Sequence, residues 1–164
     1  MKKKESQDIC FINGPSFTDF IVSRLNITPI PGEIVLSDNR VLGRHRGLHC
    51  YTLGQRRGLN CPGPEPYYVK KIDLPTNTLT LGIKKELYTK EVVLTNLNWM
   101  TAPFTSKEKV VTKIRYSHKG ASSELIQKNN LTTLIFDEPQ FAVTPGQIAV
   151  FYQGERVLGS GIIK

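Results

Sequence analysis

The stretch that decides the fold is "TPGQIAVFYQGERVLGSGII", residues 144–163. Pro145-Gly146 suits the centre of a type II turn, because proline presets φ at the first central position and glycine supplies the positive φ needed at the second. The run from Ile148 to Tyr152 is β-branched and aromatic, as a buried strand requires, and Gln153-Gly154-Glu155 turns the chain back into a strand that begins at Arg156. A hairpin by itself leaves two open edges, so neighbouring strands have to close it.

Upstream the chain supplies them. Val92 to Leu94, Val110 to Tyr116, Leu125 to Gln127 and Leu134 to Phe136 are β-branched or aromatic runs bounded by Gly, Pro, Asn or Lys clusters. Several short antiparallel strands avoid exposed edges by closing on themselves, which predicts a small antiparallel β-barrel over residues 89–164. Asp137-Glu138 before Pro139 reads as a turn at a strand end. "TAPFTSKEK" (101–109) reads either as a linker or as a loop of the barrel.

Before the barrel, "EIVLSDNRVLG" reads as a hairpin turning at Ser37-Asp38-Asn39, and "YYVKKIDLPTNTLTLG" as a second turning near Pro75-Thr76-Asn77. Phe17, Phe20, Ile21 and Leu25 recur at helical spacing behind Ser16 as N-cap, predicting one short helix over 16–25. The charged segment 82–90 separates the two strand-rich blocks. The fold expected is therefore mainly β: a small central β-rich domain with one helix (16–88), then a C-terminal barrel (89–164).

Composition narrows the function. The chain has 164 residues and 39% hydrophobic content, enough for a real core. No apolar run approaches the roughly 20 residues of a membrane helix, and no signal-peptide core follows the basic start, so no membrane partner is expected. Three cysteines, Cys10, Cys50 and Cys61, make an odd and small set that points to a reducing, cytoplasmic compartment. A net charge of +8 favours a polyanionic partner, since clustered Lys and Arg release counterions from phosphates.

The densest chemistry lies in "GRHRGLHCYTLGQRRGL", residues 43–59, with four glycines, four arginines, two histidines, a glutamine and a cysteine. Arg56 and Arg57, like Arg44 and Arg46, offer forked donors for phosphate. Two readings stay open, a nucleic-acid-facing loop and a solvated basic turn. His45, His49, Cys50 and Cys61 raise the question of zinc. Adjacent His49 and Cys50 point to opposite faces of a strand, and no C-x-x-C pair is present, so no metal site is expected. In "TKIRYSHKG" (112–120), read as a strand, Lys113 and Arg115 share one face and Ile114 and Tyr116 the other. Gln147 follows the Pro145-Gly146 turn as a polar side chain within reach of a partner. With no nucleophile elbow, phosphate loop or acid–base carboxylate pair, the chain does not read as a complete enzyme.

Taken in order, "SQDICFI", "GRHRGLHCYTLGQRRGL", "KIRY" and "FAVTPGQIAVFYQGERVLGSGII" resemble the C-terminal part of the tRNA-specific 2-thiouridylases over nearly the whole chain. Members of that family begin with an ATP-binding domain carrying an S-G-G-x-D-S loop and a first catalytic cysteine, and neither motif occurs here. The resemblance makes residues 1–15 the tail of that domain, and Cys10 the second catalytic cysteine, which takes sulfur as a persulfide from a cysteine desulfurase or a sulfur-relay protein. It implies that the full-length enzyme uses ATP with Mg to adenylate the C2 oxygen of the wobble uridine in tRNA before sulfur displaces AMP. The nucleotide site would then lie outside this chain, which would bind no cofactor and be inactive alone. Asp8, where many members have glycine, disfavours the Cys10 thiolate, and Lys2 to Lys4 oppose that effect. By motif, the family's tRNA contacts fall on Arg115, Tyr116 and Gln147, while Arg56 and Arg57 are assigned to tRNA from composition. The alternative is a non-catalytic RNA-binding β-barrel module.

Overall fold

The computed structural model describes Val22, Arg24 and residues 28–102, 107–128 and 131–164. Val22 and Arg24 are helical. The rest of the helix expected over 16–25 lies outside the described residues, as does Cys10.

The first block is a four-stranded sheet. β1 (Gly32–Leu36) and β2 (Val41–His45) form an antiparallel hairpin, as do β3 (Tyr67–Asp73) and β4 (Thr78–Ile83). Both turns sit where the polar Asx-rich segments predict. Asn39 and Asn77 take the left-handed conformation at φ 65 and 50, which asparagine tolerates because its short amide bonds locally. The hairpins join by parallel pairing of β1 with β4, giving the order β2-β1-β4-β3. Ile34, Val69, Leu79 and Leu81 are almost fully buried on one face, with Leu48 and Leu59 from the segment between β2 and β3, and Tyr67 at the start of β3, in the same cluster.

The second block is a closed antiparallel barrel. β5 (Tyr88–Trp99), β6 (Lys107–Lys113), β7 (Ala121–Lys128), β8 (Leu131–Phe141), β9 (Ile148–Gln153) and β10 (Arg156–Ile163) close in the order β10-β5-β8-β7-β6-β9. Alternation places Leu125, Leu134, Phe136, Ala149 and Phe151 inside with no exposure. Thr112, Ser123 and Thr132 share that interior. Ser123 Oγ donates to the Val110 carbonyl at 3.3 Å, so Thr112 donates to Ser123 Oγ at 2.7 Å and both hydroxyls are satisfied. Of segment 101–109, Thr101 and Ala102 follow β5, residues 107–109 are already part of β6, and the rest lies outside the described residues.

Two readings of strand ends need correction. Asp137-Glu138 is not a terminal turn: β8 runs through it to Phe141, and the register against β5 slips between Thr89↔Gln140 and Glu91↔Ile135. Such an irregularity is where a strand accommodates a proline, here Pro139. β6 stops at Lys113 rather than Tyr116, because its ladder with β9 ends at Lys113↔Val150. Beyond it the chain bends, with the His118 amide bonded to the Arg115 carbonyl at 3.0 Å. Ile114 and Tyr116 consequently do not share a face: Ile114 is 1% exposed and Tyr116 79%.

Candidate nucleic-acid interface

The register of β6 against β9 assembles the barrel part of the site. Thr112 pairs with Phe151 and Lys113 with Val150, so Arg115 and Tyr116 leave β6 at the end of the barrel where Gln147 leads into β9. The turn before β9 is built as the sequence predicts. Gly146 has φ 84, the Gln147 amide bonds the Thr144 carbonyl at 3.3 Å, and the Gln147 carbonyl accepts from the Ile163 amide at 2.9 Å. That fixes the backbone of Gln147 and leaves its side chain exposed. Arg115 is half-buried, with Nη1 donating to the Phe141 carbonyl at 3.1 Å. A guanidinium has five N–H donors, so this bond anchors the side chain and leaves further donors for a phosphate.

The basic segment of the first block is a built loop rather than a loose turn. Gly54 donates to the Val69 carbonyl at 2.8 Å and Val69 to the Gln55 carbonyl at 2.9 Å, so 54–55 adds a short rung to the outer edge of β3. The Gln55 side chain spans the loop from end to end. Its Oε1 accepts from the Thr52 amide at 3.0 Å, and its Nε2 donates to the Arg57 carbonyl at 2.9 Å. Arg56 and Arg57 stand exposed on this brace, and Arg44 and Arg46 are exposed on and just after β2.

The two basic regions meet at the end of β8. Ala142 is left-handed at φ 50, an uncommon state for alanine, and its amide bonds the Leu87 carbonyl at 2.9 Å. A Cβ on Gly54 would lie 2.7 Å from the Ala142 Cβ, so glycine there lets the loop close onto the barrel. Phe141 packs between Tyr68 and Tyr88, with ring centroids 5.6 and 5.5 Å away. Phe141-Ala142 therefore has the Arg115 side chain on one side and the Gly54–Arg57 loop on the other.

Metal and nucleotide chemistry find little here. Both nitrogens of buried His45 are engaged: Nδ1 accepts from the Gly47 amide at 3.1 Å, so Nε2 carries the proton donated to the Asn77 carbonyl at 3.0 Å. No lone pair is left for zinc. Among the described residues no three His, Cys, Asp or Glu side chains come together for a metal ion. Nor does a glycine-rich loop among them open a helix, so they do not fit ATP with its magnesium. Cys61 donates to the Leu59 carbonyl at 3.3 Å, and burial pushes its thiol above the ordinary cysteine range. No helix among the described residues is long and apolar enough to cross a membrane.

Of the residues singled out from sequence, Arg115, Tyr116 and Gln147 lie at the same end of the barrel, and Arg56 and Arg57 stand on a loop packed against that end. Gln55, His118 and Gln140 were not singled out. For Gln55 the signal was present, an amide flanked by Gly54 and Arg56-Arg57-Gly58; for the others there was none.

Comparison with known proteins gives the class first. Residues 18–83 match the model of the tRNA methyl transferase PRC-barrel domain, and residues 89–163 that of the aminomethyltransferase β-barrel domain. The chain is 41% identical over 163 residues to the tRNA-specific 2-thiouridylase MnmA of Desulfotalea psychrophila, covering 97% of this chain and 47% of the relative. The proteins of that name from Desulfosudis oleivorans (41%, 100% of this chain and 46% of the relative) and Halothermothrix orenii (40%, 99% and 46%) match in the same way. The chain belongs to the tRNA-specific 2-thiouridylase family, and it spans just under half the length of these relatives.

Proposed function

We propose that this chain is the tRNA-recognising and sulfur-accepting part of an enzyme that thiolates the wobble uridine of tRNA. What supports the reading is that Arg115, Tyr116 and Gln147 lie at one end of the barrel, the end against which the loop carrying Arg56 and Arg57 packs. Exposed guanidiniums meet phosphates, an exposed tyrosine offers a stacking face, and a glutamine offers both donor and acceptor. The relatives' name, tRNA-specific 2-thiouridylase, supports the same substrate.

In this reading residues 16–88 and 89–164 act as two units carrying one RNA surface, and Cys10 in the segment 1–15 accepts sulfur from a cysteine desulfurase or a relay protein. Activation of the uridine with ATP belongs to residues outside those described, so the chain alone binds tRNA without thiolating it. The compartment is the cytoplasm, where thiols stay reduced.

The experiment is tRNA binding by the 164-residue chain across a salt series. The wild type is expected to lose affinity steeply with salt, and Arg115→Ala and Arg56→Ala/Arg57→Ala each to flatten log K against log[salt] by about 0.7–0.9 for every phosphate no longer neutralised. Salt-independent binding, or slopes untouched by both variants, would overturn the reading.

A further inference from the structure

We propose that the end of β8 is a positioning element for RNA recognition, with His118 as the positioning residue that holds the Arg115-Tyr116 loop in place through Gln140. The inference rests on the tRNA-binding reading above and extends it to a residue that does not touch RNA.

The loop needs such an anchor. After Lys113 the ladder to β9 has ended, and between there and β7 the one backbone hydrogen bond within the loop, among the described residues, is His118 to Arg115. Ile114 pins the start by burial, being 1% exposed. Two side chains three positions apart then reach adjacent residues at the end of β8. Arg115 Nη1 bonds the Phe141 carbonyl at 3.1 Å, and His118 Nε2 bonds Gln140 Oε1 at 3.1 Å. Tyr116 and Ser117 lie between the two anchors and are exposed, as is Lys119 beyond them.

The direction of the His118 bond follows from its partner. Gln140 Nε2 donates to the Glu138 carbonyl at 2.6 Å, which turns Oε1 toward the imidazole. An amide oxygen only accepts, so His118 donates from Nε2. Its Nδ1 is buried and has no partner among the described residues. Among those residues the ring's one hydrogen bond is thus to Gln140, and losing either partner loosens the C-terminal half of the loop. A loop already fixed in its binding shape loses less entropy when RNA arrives, and this pre-organisation is what His118 contributes.

The test uses the 164-residue chain with His118→Ala, Gln140→Ala and the conservative His118→Gln, whose amide N–H can take the place of Nε2–H. Without RNA, amide hydrogen exchange of the His118 N–H is expected to rise about tenfold or more in both alanine variants and to return toward wild type in His118→Gln. With tRNA, His118→Ala is expected to weaken binding about three- to tenfold at fixed salt. The salt slope stays unchanged, since every phosphate keeps its cation. In a Tyr116→Ala background the same substitution should cost almost nothing more. Unchanged exchange in both alanine variants, or an equal loss of affinity with and without Tyr116, overturns the proposal. Wild type that fails to bind tRNA would sink the function reading instead, and the exchange measurement would still decide whether His118 holds the loop.

Discussion

Gln55 commits its whole amide to the loop it belongs to, and this sets what single residues do in this molecule. Accepting from Thr52 and donating to Arg57, it converts a glycine-flanked basic run into a fixed platform. Gln55→Ala should cost about 1–2 kcal/mol in urea denaturation, from two net hydrogen bonds of ordinary strength. It should also weaken tRNA binding while leaving both arginines in the chain. If affinity is unchanged although stability falls, the loop does not face RNA. Arg115 shows the same economy, holding Phe141 with one donor while presenting others. Lysine lacks that fork, so Arg115→Lys should bind tRNA less well than wild type despite its equal charge, as a salt-series titration of the two would show.

At the scale of elements, the contact between Gly54 and Ala142 couples the loop to the barrel. Gly54→Ala adds a Cβ 2.7 Å from that of Ala142, at a residue with φ +79, and should cost about 1–3 kcal/mol in urea denaturation. Ala142→Gly opens that space and relaxes φ 50, so the double variant should recover part of the loss; strict additivity would show that the two residues do not press on each other. A second brace lies on the surface. Glu86 accepts from Lys70 at 2.8 Å, from Ser37 at 2.8 Å and from the Ile83 amide at 2.9 Å, tying β3 and the β1–β2 turn to the segment entering the barrel. The Lys70 bond first, then the Ile83 amide, hold its pKa at about 2 against an ordinary 4.5. A depressed carboxylate stabilises the fold fully above its unfolded value, so this contribution should fade as pH drops from about 4.5 toward 2, and Glu86→Gln should lose that part of the acid slope in denaturation curves. Exposure keeps the effect within about 1 kcal/mol. The hairpins were legible in the sequence because each carries its own turn chemistry between alternating runs. The parallel pairing of β1 with β4 was not, since no turn joins parallel neighbours and nothing local announces it. The end of β6 escaped for a similar reason: "KIRY" keeps its strand-like composition, but the ladder to β9 stops at Lys113↔Val150, where the chain bends away. Arg115 and Gln147 were legible by charge and by turn position. His118 escaped because its role depends on Gln140, 22 residues away across the barrel.

For the whole molecule, under the proposed function, the net charge of +8 would set how tRNA is attracted, and the thiols would decide whether sulfur can be received. Sulfur acceptance needs a thiolate to attack a persulfide donor, so the three cysteines are not equivalent. Cys61 is disfavoured, since burial raises its pKa and its thiol is engaged with the Leu59 carbonyl. Cys50 is half-buried in the short 3-10 turn Leu48–Cys50, which narrows the approach of a donor protein. Incubating the chain with a cysteine desulfurase and cysteine, then locating added sulfur by mass spectrometry, should place it on Cys10 and lose it in Cys10→Ser. Reducing agent should remove the label, since a persulfide is a reducible S–S bond. Equal labelling of Cys50 and Cys61 would mean that the donor reads thiol exposure rather than a site, and Cys10 would then lose its claim to the relay. The proposed tRNA-binding surface rests on Arg115, Tyr116, Gln147 and the Arg56-Arg57 loop, so the proposal of RNA binding would survive that result without a sulfur-transfer role.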